Sequence, residues 1–197
     1  MKKIVIPGEE IKSRVREHTY EDKGKTYSAV YGVLIENEGK GKIVPLKGHY
    51  LPRKGDTIIG IVEDVKYGGC MVDINTAESA YLHTERPYKE ADVLVAEVMD
   101  INELKEAKLS RDRKLPKGTL LEVDSVKVPR IIGKNNSMIN MIQELTGSEV
   151  IVGRNGRIWI HGGDITKVMD AINTIIEKTH VSGLTEKIKK QLEGESE

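Results

Sequence analysis

A loop that could hold a nucleic-acid backbone lies in the stretch VKVPRIIGKNNSMINMIQELTG, which ends at Gly147. The loop is Gly133-Lys134-Asn135-Asn136, and Arg130 precedes it by about one helical turn. A glycine-started loop between two short helices can clamp the sugar-phosphate backbone of about four nucleotides of a single strand. The alternative is an ordinary helical hairpin with a glycine turn. We predict RNA contacts at these residues: Arg130, Gly133, Lys134, Asn135 and Asn136.

The elements that must position this loop follow from capping and periodicity. An apolar strand end is predicted before Pro129, followed by a short helical turn over 130–132. Ser137 is a good N-cap for a helix over 138–145, with Gly147 just past its end. Short apolar strands over 149–152 and 157–161 flank Asn155-Gly156 and indicate a hairpin.

A last amphipathic helix completes this part of the chain. Asp164 is its predicted N-cap, and apolar residues follow at three- and four-residue spacing. A further short helix is expected over 184–192. The order strand, helix, helix, strand, strand, helix is that of a eukaryotic-type KH domain, which we place at residues 117–197.

The preceding stretch, residues 54–116, predicts a five-stranded OB barrel. Five short apolar segments follow Lys54-Gly55-Asp56, with turn signals between them: 57–65, 70–74, 80–83, 93–101 and 107–110. In such barrels, bases stack on exposed aromatic rings, and basic residues lie near the backbone.

Charge in the barrel is unfavourable for RNA overall, with 9 basic against 13 acidic residues. Any attraction must therefore be local, and the candidates are Lys66, His83, Arg86, Arg111 and Arg113. Tyr67 offers a ring for stacking, and core packing is its alternative role. A half-buried strand position is the alternative for His83.

Residues 1–53 predict a small β-rich domain. Strands are expected over 4–6, 26–35 and 42–46, with a hairpin across 37–41. This part carries 11 basic and 7 acidic residues and no visible chemical site. A domain of this kind often serves for docking, so the whole chain is predicted to be multidomain α+β.

Composition narrows the class of protein. The 197 residues are 38 % hydrophobic and 31 % charged, with 31 basic and 31 acidic side chains. Cys70 is the one cysteine, which excludes a disulfide framework and a multi-cysteine zinc site and suits a reducing compartment. No signal peptide or membrane span is apparent. We expect a cytoplasmic protein with no membrane partner, no metal and no cofactor.

No catalytic residues are predicted. The histidines are scattered, and no Asp/Glu pair or activated nucleophile falls in a motif. The chain is therefore expected not to be an enzyme.

Three pieces of the barrel resemble the RNA-binding domain first named in ribosomal protein S-one. They are KGDTIIGIVEDV, the run D-x-x-Y-G-G-C-M-V-D-I, and Y-L-H. The resemblance implies RNA contacts at Tyr67, Met71, His83 and Arg111. Met71 stands where that family has a second aromatic residue, and methionine stacks less well on a base.

The whole chain resembles the RNA-binding cap subunit of the archaeal exosome, ribosomal RNA-processing protein four. The domain order, VPRIIGKNNSMI, GRNGRIWI and PLKGHYLPRKGD carry this resemblance. It implies a non-catalytic subunit that binds single-stranded RNA. Three cap subunits would sit as a trimer on a ring of three heterodimers of phosphorolytic RNase subunits, docked by the N-terminal domain, and would feed RNA to it.

Two sequence motifs of that family can be matched to residues of this chain. Asn136 replaces the second glycine of the family's G-x-x-G loop; asparagine tolerates the left-handed backbone, but its side chain hinders close approach of a phosphate. Gly153, Asn155 and Gly156 match a G-x-N-G motif that packs against the neighbouring barrel in the family, which implies a structural role.

Other classes fit less well. Polynucleotide phosphorylase has both RNA modules in the reverse order behind a catalytic core, and the sister cap subunit ends in a zinc ribbon that one cysteine cannot build. A free-standing single-stranded RNA-binding regulator of translation or RNA processing remains the alternative.

Overall fold

The computed structural model describes residues 2–15, 17–37, 39–46, 48–103, 106–178 and 183–194. The chain folds into two compact units, Met1–His49 and Tyr50–Glu197. The second unit contains both a closed β-barrel and an α/β segment. The predicted domain boundaries after residues 53 and 116 stay a prediction.

The first unit consists of two three-stranded antiparallel sheets, with strand orders β1-β5-β6 and β2-β4-β3. The strands are β1 (Lys2–Val5), β2 (Glu10–Ile11), β3 (Thr19–Asp22), β4 (Lys25–Ser28), β5 (Gly32–Asn37) and β6 (Lys40–Pro45). A small core of buried apolar side chains holds the unit together: Val5, Ile11, Leu34 and Ile43. The predicted hairpin across 37–41 is present as β5 and β6, although residue 38 lies outside the described residues.

The single strand predicted over 26–35 is wrong. The chain leaves the β2-β4-β3 sheet at Ser28 and enters the β1-β5-β6 sheet at Gly32. The buried Ser28 hydroxyl donates to the carbonyl of Val30 at 2.7 Å and stabilises the bend. Because Val30 and Tyr31 favour strands and no glycine or proline lies between Ser28 and Gly32, composition gave little sign of the break.

The predicted five-stranded barrel is confirmed, with neighbouring strands in the order β10-β11-β9-β8-β7. Its strands are β7 (Thr57–Lys66), β8 (Gly69–Asp73), β9 (Ala80–His83), β10 (Val93–Ile101) and β11 (Ala107–Lys114). Alternate residues fill the interior, including Val62, Cys70, Val72, Leu82 and Leu94. The intervening residues therefore form an outer face.

The KH fold is also confirmed. Its elements are β12 (Thr119–Glu122), α1 (Val128–Ile132), α2 (Ser137–Thr146), β13 (Glu149–Val152), β14 (Arg157–His161), α3 (Ile165–Glu177) and α4 (Leu184–Glu193). The sheet has the order β12-β14-β13. Helices α2, α3 and α4 pack apolar side chains on one side of the sheet, among them Ile142, Ile158, Ile172 and Ile188.

Two local predictions in this segment are wrong. The strand ends at Glu122, and Val128 is already helical, because proline is tolerated at the start of a helix and Pro129 lies there. Ser137 is the first residue of α2 and not its N-cap; the cap is Asn136, whose side chain makes no capping bond. Asp164 caps α3 as predicted, accepting from the Lys167 amide at 3.1 Å.

The barrel and the KH sheet meet at the loop between β13 and β14. The buried Asn155 amide donates to the carbonyls of Ile59 at 2.7 Å and Ile74 at 2.9 Å, and its oxygen accepts from the Ile59 amide at 3.2 Å. Nearby, the buried Arg157 guanidinium binds the carbonyl of Asp73 at 2.6 Å, as well as its carboxylate. These bonds fix the two folds within the second unit.

Candidate nucleic-acid interface

The outer face of the barrel is defined by strand register. Met71 lies opposite Tyr81, and Gly69 lies opposite His83, in the antiparallel pair of β8 and β9. On the other side of β8, Lys66 pairs with Gly69. Cross-strand partners share a face, so these side chains lie on one continuous surface. The residues between them, Cys70 and Leu82 for example, are buried in the barrel.

Three residues predicted to contact RNA lie on or beside this surface. Tyr67, in the turn between β7 and β8, is fully exposed at 106 % of its reference area, which excludes core packing. His83 is exposed at the end of β9, and its ring passes beside Gly68. Met71 is only partly exposed. The surface therefore combines one free aromatic ring with an imidazole and a thioether.

Arg111 is placed by an irregularity in β11. Two residues, Arg111 and Asp112, oppose Ala96 where the register of β10 and β11 shifts. Arg111 has a φ of 53°, which is unusual for a residue other than glycine. Bulges of this kind re-aim side chains. Here the Arg111 guanidinium reaches Glu97 at 2.7 Å.

The other lysine and arginine candidates of the barrel also have acidic neighbours. Arg86 lies 3.5 Å from Asp112, Lys66 lies 3.8 Å from Asp64, and Arg113 lies 3.9 Å from Glu149 of β13. The Lys66 and Arg113 pairs are exposed on both sides, and such pairs contribute at most about 1 kcal/mol to stability. A phosphate could therefore replace these carboxylates at small cost, although the pairs lower the local positive potential.

Asp112 has a second role beneath this surface. Its carboxylate accepts the Tyr88 hydroxyl at 2.7 Å. Burial of the ring, together with this carboxylate, raises the pKa of Tyr88. Tyr88 therefore stays a neutral donor that orients Asp112 toward Arg86.

The KH loop has three positions with a positive φ, at residues 133, 135 and 136. Gly133 has a φ of 75°, and an added Cβ would lie 2.7 Å from the Cβ of Met138. Asn135 and Asn136 are both left-handed, with φ values of 52° and 63°. Asparagine is among the residues that tolerate this conformation, so the turn survives without a second glycine. Lys134 and Arg130 are both exposed beside it.

One amide on the edge strand of the KH sheet, β13, is already occupied. The amide of Val150 in β13 donates to the side-chain oxygen of Gln143 in α2 at 3.0 Å. A base could bind this amide only after displacing Gln143. Together with the Asn136 side chain in the loop, this makes the KH surface less open to a nucleotide.

Two residues of the barrel face were missed by the sequence analysis. Tyr81 lies on the same face as His83. Lys108 of β11 is the register neighbour of Tyr81, because β11 and β9 form a parallel pair. Alternation in Ala80-Tyr81-Leu82-His83 could have indicated Tyr81, since residues two apart share a face. The position of Lys108 depends on strand register, which the sequence does not reveal.

Other kinds of site are not apparent in the described part of the chain. There, no three His, Cys, Asp or Glu side chains group closely enough to hold a metal ion. Within the same residues, none of the helices has the length and apolar character needed to cross a membrane.

Comparison with known proteins agrees with this architecture. The exosome complex component Rrp4 of Thermoplasma acidophilum is 35 % identical, and the match covers 100 % of this chain and 94 % of that protein. Its counterpart from Pyrobaculum aerophilum is 36 % identical, over 98 % of this chain and 93 % of its own length. This chain belongs to the exosome complex component Rrp4 family.

Two further comparisons support the assignment to the Rrp4 family. Residues 118–166 match the family model of the KH domain. A crystal structure named as that of an exosome complex RNA-binding protein superposes with a TM-score of 0.66 at 29 % identity. It covers 75 % of this chain and 97 % of that chain. The family resemblance inferred from sequence motifs is thus confirmed, and so is the fold.

Proposed function

We propose that this protein is a non-catalytic RNA-binding cap subunit of an exosome. In this role it captures single-stranded RNA and feeds it to a ring of phosphorolytic RNase subunits, as one of three cap subunits, in the cytoplasm. The observation that carries the proposal is full-length similarity to Rrp4 proteins together with a barrel face that presents the free ring of Tyr67.

The barrel is proposed as the main RNA-binding module. Stacking of a base on an aromatic ring contributes ~1–3 kcal/mol, and Tyr67 is fully available for it. The KH loop offers Lys134, which would add mainly a salt-dependent and sequence-independent attraction. Asn136 and the Gln143 bond to β13 both oppose closer contact there.

A ranking of substitutions tests this proposal. Tyr67→Ala should weaken binding of a short single-stranded RNA by about 5-fold or more, since ~1 kcal/mol corresponds to that factor. Lys134→Glu should weaken it less, and its effect should diminish at higher salt. Fluorescence anisotropy at two salt concentrations measures both.

Matched controls are available elsewhere in the chain. Tyr31→Ala removes a tyrosine that is 41 % exposed in the first unit, and Lys187→Glu reverses an exposed charge on α4. Both should leave RNA affinity within about twofold of the wild type, as expected for surface positions outside the site. If Lys134→Glu were the most damaging change, the KH loop would be the working clamp.

The first unit is proposed to dock on the RNase ring. On sheet β1-β5-β6, Ile4, Val33 and Val44 align across the three strands. Ile4 is 58 % exposed and Val44 is 40 % exposed, so this face presents an apolar stripe to solvent. Exposed apolar patches of this kind mark protein contacts.

Charge insertion into the stripe tests docking. Ile4→Asp and Val44→Asp should each abolish or strongly reduce co-elution with the ring subunits in size-exclusion chromatography. Met99→Asp, a matched change at an apolar barrel residue that is 49 % exposed, should co-elute normally. A wild-type chain that stayed alone when mixed with the ring would favour a free-standing regulator of translation or RNA processing instead.

The absence of catalysis is tested separately. The purified chain should leave labelled RNA intact in the presence of phosphate or divalent cations, and should increase RNA capture when added to the ring. Tethering RNA near the ring raises its local concentration, so the gain should appear in substrate binding. RNA loss with the chain alone would contradict the proposal.

A further inference from the structure

Tyr81 lies across the barrel face in an unusual way. A Cβ built on Gly69 would come within 2.8 Å of the Tyr81 hydroxyl oxygen and 3.0 Å of Cζ. The phenol end of the ring therefore rests on the bare backbone of Gly69. The ring lies along the sheet surface instead of projecting from it, and it remains partly exposed. An aromatic ring lying on a sheet presents one π-face outward, which is the arrangement on which bases stack.

A cation, Lys108, lies beside Tyr81, and among the residues that the structure describes it forms no ion pair. Lys108 is the register neighbour of Tyr81 on β11 and is exposed. Neighbouring strands are about 4.8 Å apart, so the lysine can reach the phosphate of a nucleotide stacked on the ring. Asp100 faces Lys108 across β10, but the two form no ion pair, whereas Lys66, Arg86, Arg111 and Arg113 each have a carboxylate within 4.0 Å.

We propose that Tyr81 and Lys108 form a second nucleotide subsite on the barrel, in which the ring stacks one RNA base and the ammonium group binds its phosphate. The subsite lies next to His83, farther along β9 from the Tyr67 turn. It supplies the stacking surface that Met71, its cross-strand partner, provides poorly. This inference rests on the proposed RNA-binding function of the same face.

A purely structural role for Tyr81 makes a different prediction. Aromatic residues commonly cover glycine on a neighbouring strand. If that were its only role, any apolar side chain able to cover Gly69 would preserve RNA binding. The Tyr81 hydroxyl makes no hydrogen bond within the described residues, so Tyr81→Phe should preserve both covering and stacking.

Three variants in the full-length chain test the subsite, with a short single-stranded RNA and anisotropy titrations at several salt concentrations. Tyr81→Leu keeps an apolar cover on Gly69 but cannot stack; it should raise Kd roughly 5- to 150-fold. It should leave the salt dependence unchanged. Tyr81→Phe should bind within about twofold of the wild type.

Lys108→Ala should make RNA binding less dependent on salt concentration. Loss of one phosphate contact to a single strand should reduce the slope of log K against log salt by roughly 0.7. Lys187→Ala, an exposed lysine on α4, is the matched control and should leave the slope unchanged. Thermal unfolding of each variant reports whether the fold is preserved.

Photo-crosslinking gives a readout that does not depend on substitution. RNA containing 4-thiouridine should crosslink to the wild-type peptide that carries Tyr81. Crosslinks confined to Tyr67, or wild-type affinity in Tyr81→Leu, would overturn the subsite. Equal losses in Tyr81→Phe and Tyr81→Leu would also overturn it, because they would assign the effect to the hydroxyl and not to stacking.

The experiment separates failure of the subsite from failure of the proposed function. RNA binding that depends on Tyr67 but ignores Tyr81 and Lys108 would refute the subsite alone. A wild-type chain that binds no RNA would refute the proposed function and the subsite with it.

Discussion

Substitution of Asn155 by alanine should uncouple the barrel from the KH sheet. The Asn155 side chain is fully buried and makes three hydrogen bonds to barrel backbone, two as donor and one as acceptor. Alanine would leave the Ile59 amide and the carbonyls of Ile59 and Ile74 without these partners. Each buried polar group left unpaired costs about 1–3 kcal/mol. The free energy of unfolding of the second unit should therefore fall by roughly 3 kcal/mol or more.

The chain contains its own probe for this measurement. Trp159 is the one tryptophan, and it is buried beside Ile59 and Leu115 where the barrel meets the KH sheet. Urea unfolding followed by Trp159 fluorescence thus reports on this contact and not on the first unit. The fall in the unfolding midpoint, multiplied by the urea m-value, gives the free-energy change.

Two further variants sharpen the interpretation. Asn155→Asp preserves size but lacks the N–H groups that donate to Ile59 and Ile74, so it should cost at least as much as alanine. Asn140→Ala, on an exposed position of α2, should change the unfolding free energy by no more than about 0.5 kcal/mol. A loss below about 1 kcal/mol for Asn155→Ala would refute the reasoning that these bonds join the two folds.

Two other predictions concern the loop and the barrel surface. Gly133→Ala should destabilise the fold by about 1–3 kcal/mol, because it combines a φ of 75° with a contact to Met138; Gly147→Ala, with a φ of 65° and open space, should cost less when both are measured by urea unfolding. The Lys114 hydrogen bond lowers the pKa of Asp92 below its ordinary value near 3.8. A lowered carboxyl pKa stabilises the folded state above that value, so Asp92→Asn should cost up to about 1 kcal/mol at pH 7. The difference from wild type should shrink as the pH falls from about 3.8 through the lowered pKa of Asp92. A difference that stayed constant throughout this fall in pH would contradict this assignment.

The barrel and the KH hairpin could be predicted from the sequence because pattern and turn chemistry agree there. Strands β9 and β10 begin and end where apolar alternation indicated, and β13 and β14 flank Asn155-Gly156 as expected. The first unit could not be predicted as well. Strands β2 and β3 are short and polar, so their stability depends on pairing with β4, a contact that no local pattern reveals.

Some features of the candidate site could likewise be predicted from the sequence, and others could not. Exposure of Tyr67 and His83 follows from turn position and alternation, which are local properties. The ion pairs of Arg111 with Glu97 and of Arg113 with Glu149 join residues distant in sequence, so only the fold shows that these cations are partly neutralised. Lys108 was overlooked for the same reason, since its neighbour Tyr81 lies on another strand.

The joint at Asn155 and Arg157 also bears on how RNA could use both modules. These two side chains bind the barrel backbone at Ile59, Ile74 and Asp73 from the KH hairpin. The outer face of β8 and β9 and the loop at 133–136 therefore cannot reorient independently without breaking buried hydrogen bonds. An RNA strand that touched both would have to span a fixed separation. If Asn155→Ala left affinity for short RNA unchanged but weakened binding of longer strands, the joint would be shown to align the two surfaces. An equal loss of affinity for short and long RNA would instead show that Asn155→Ala acts within the barrel.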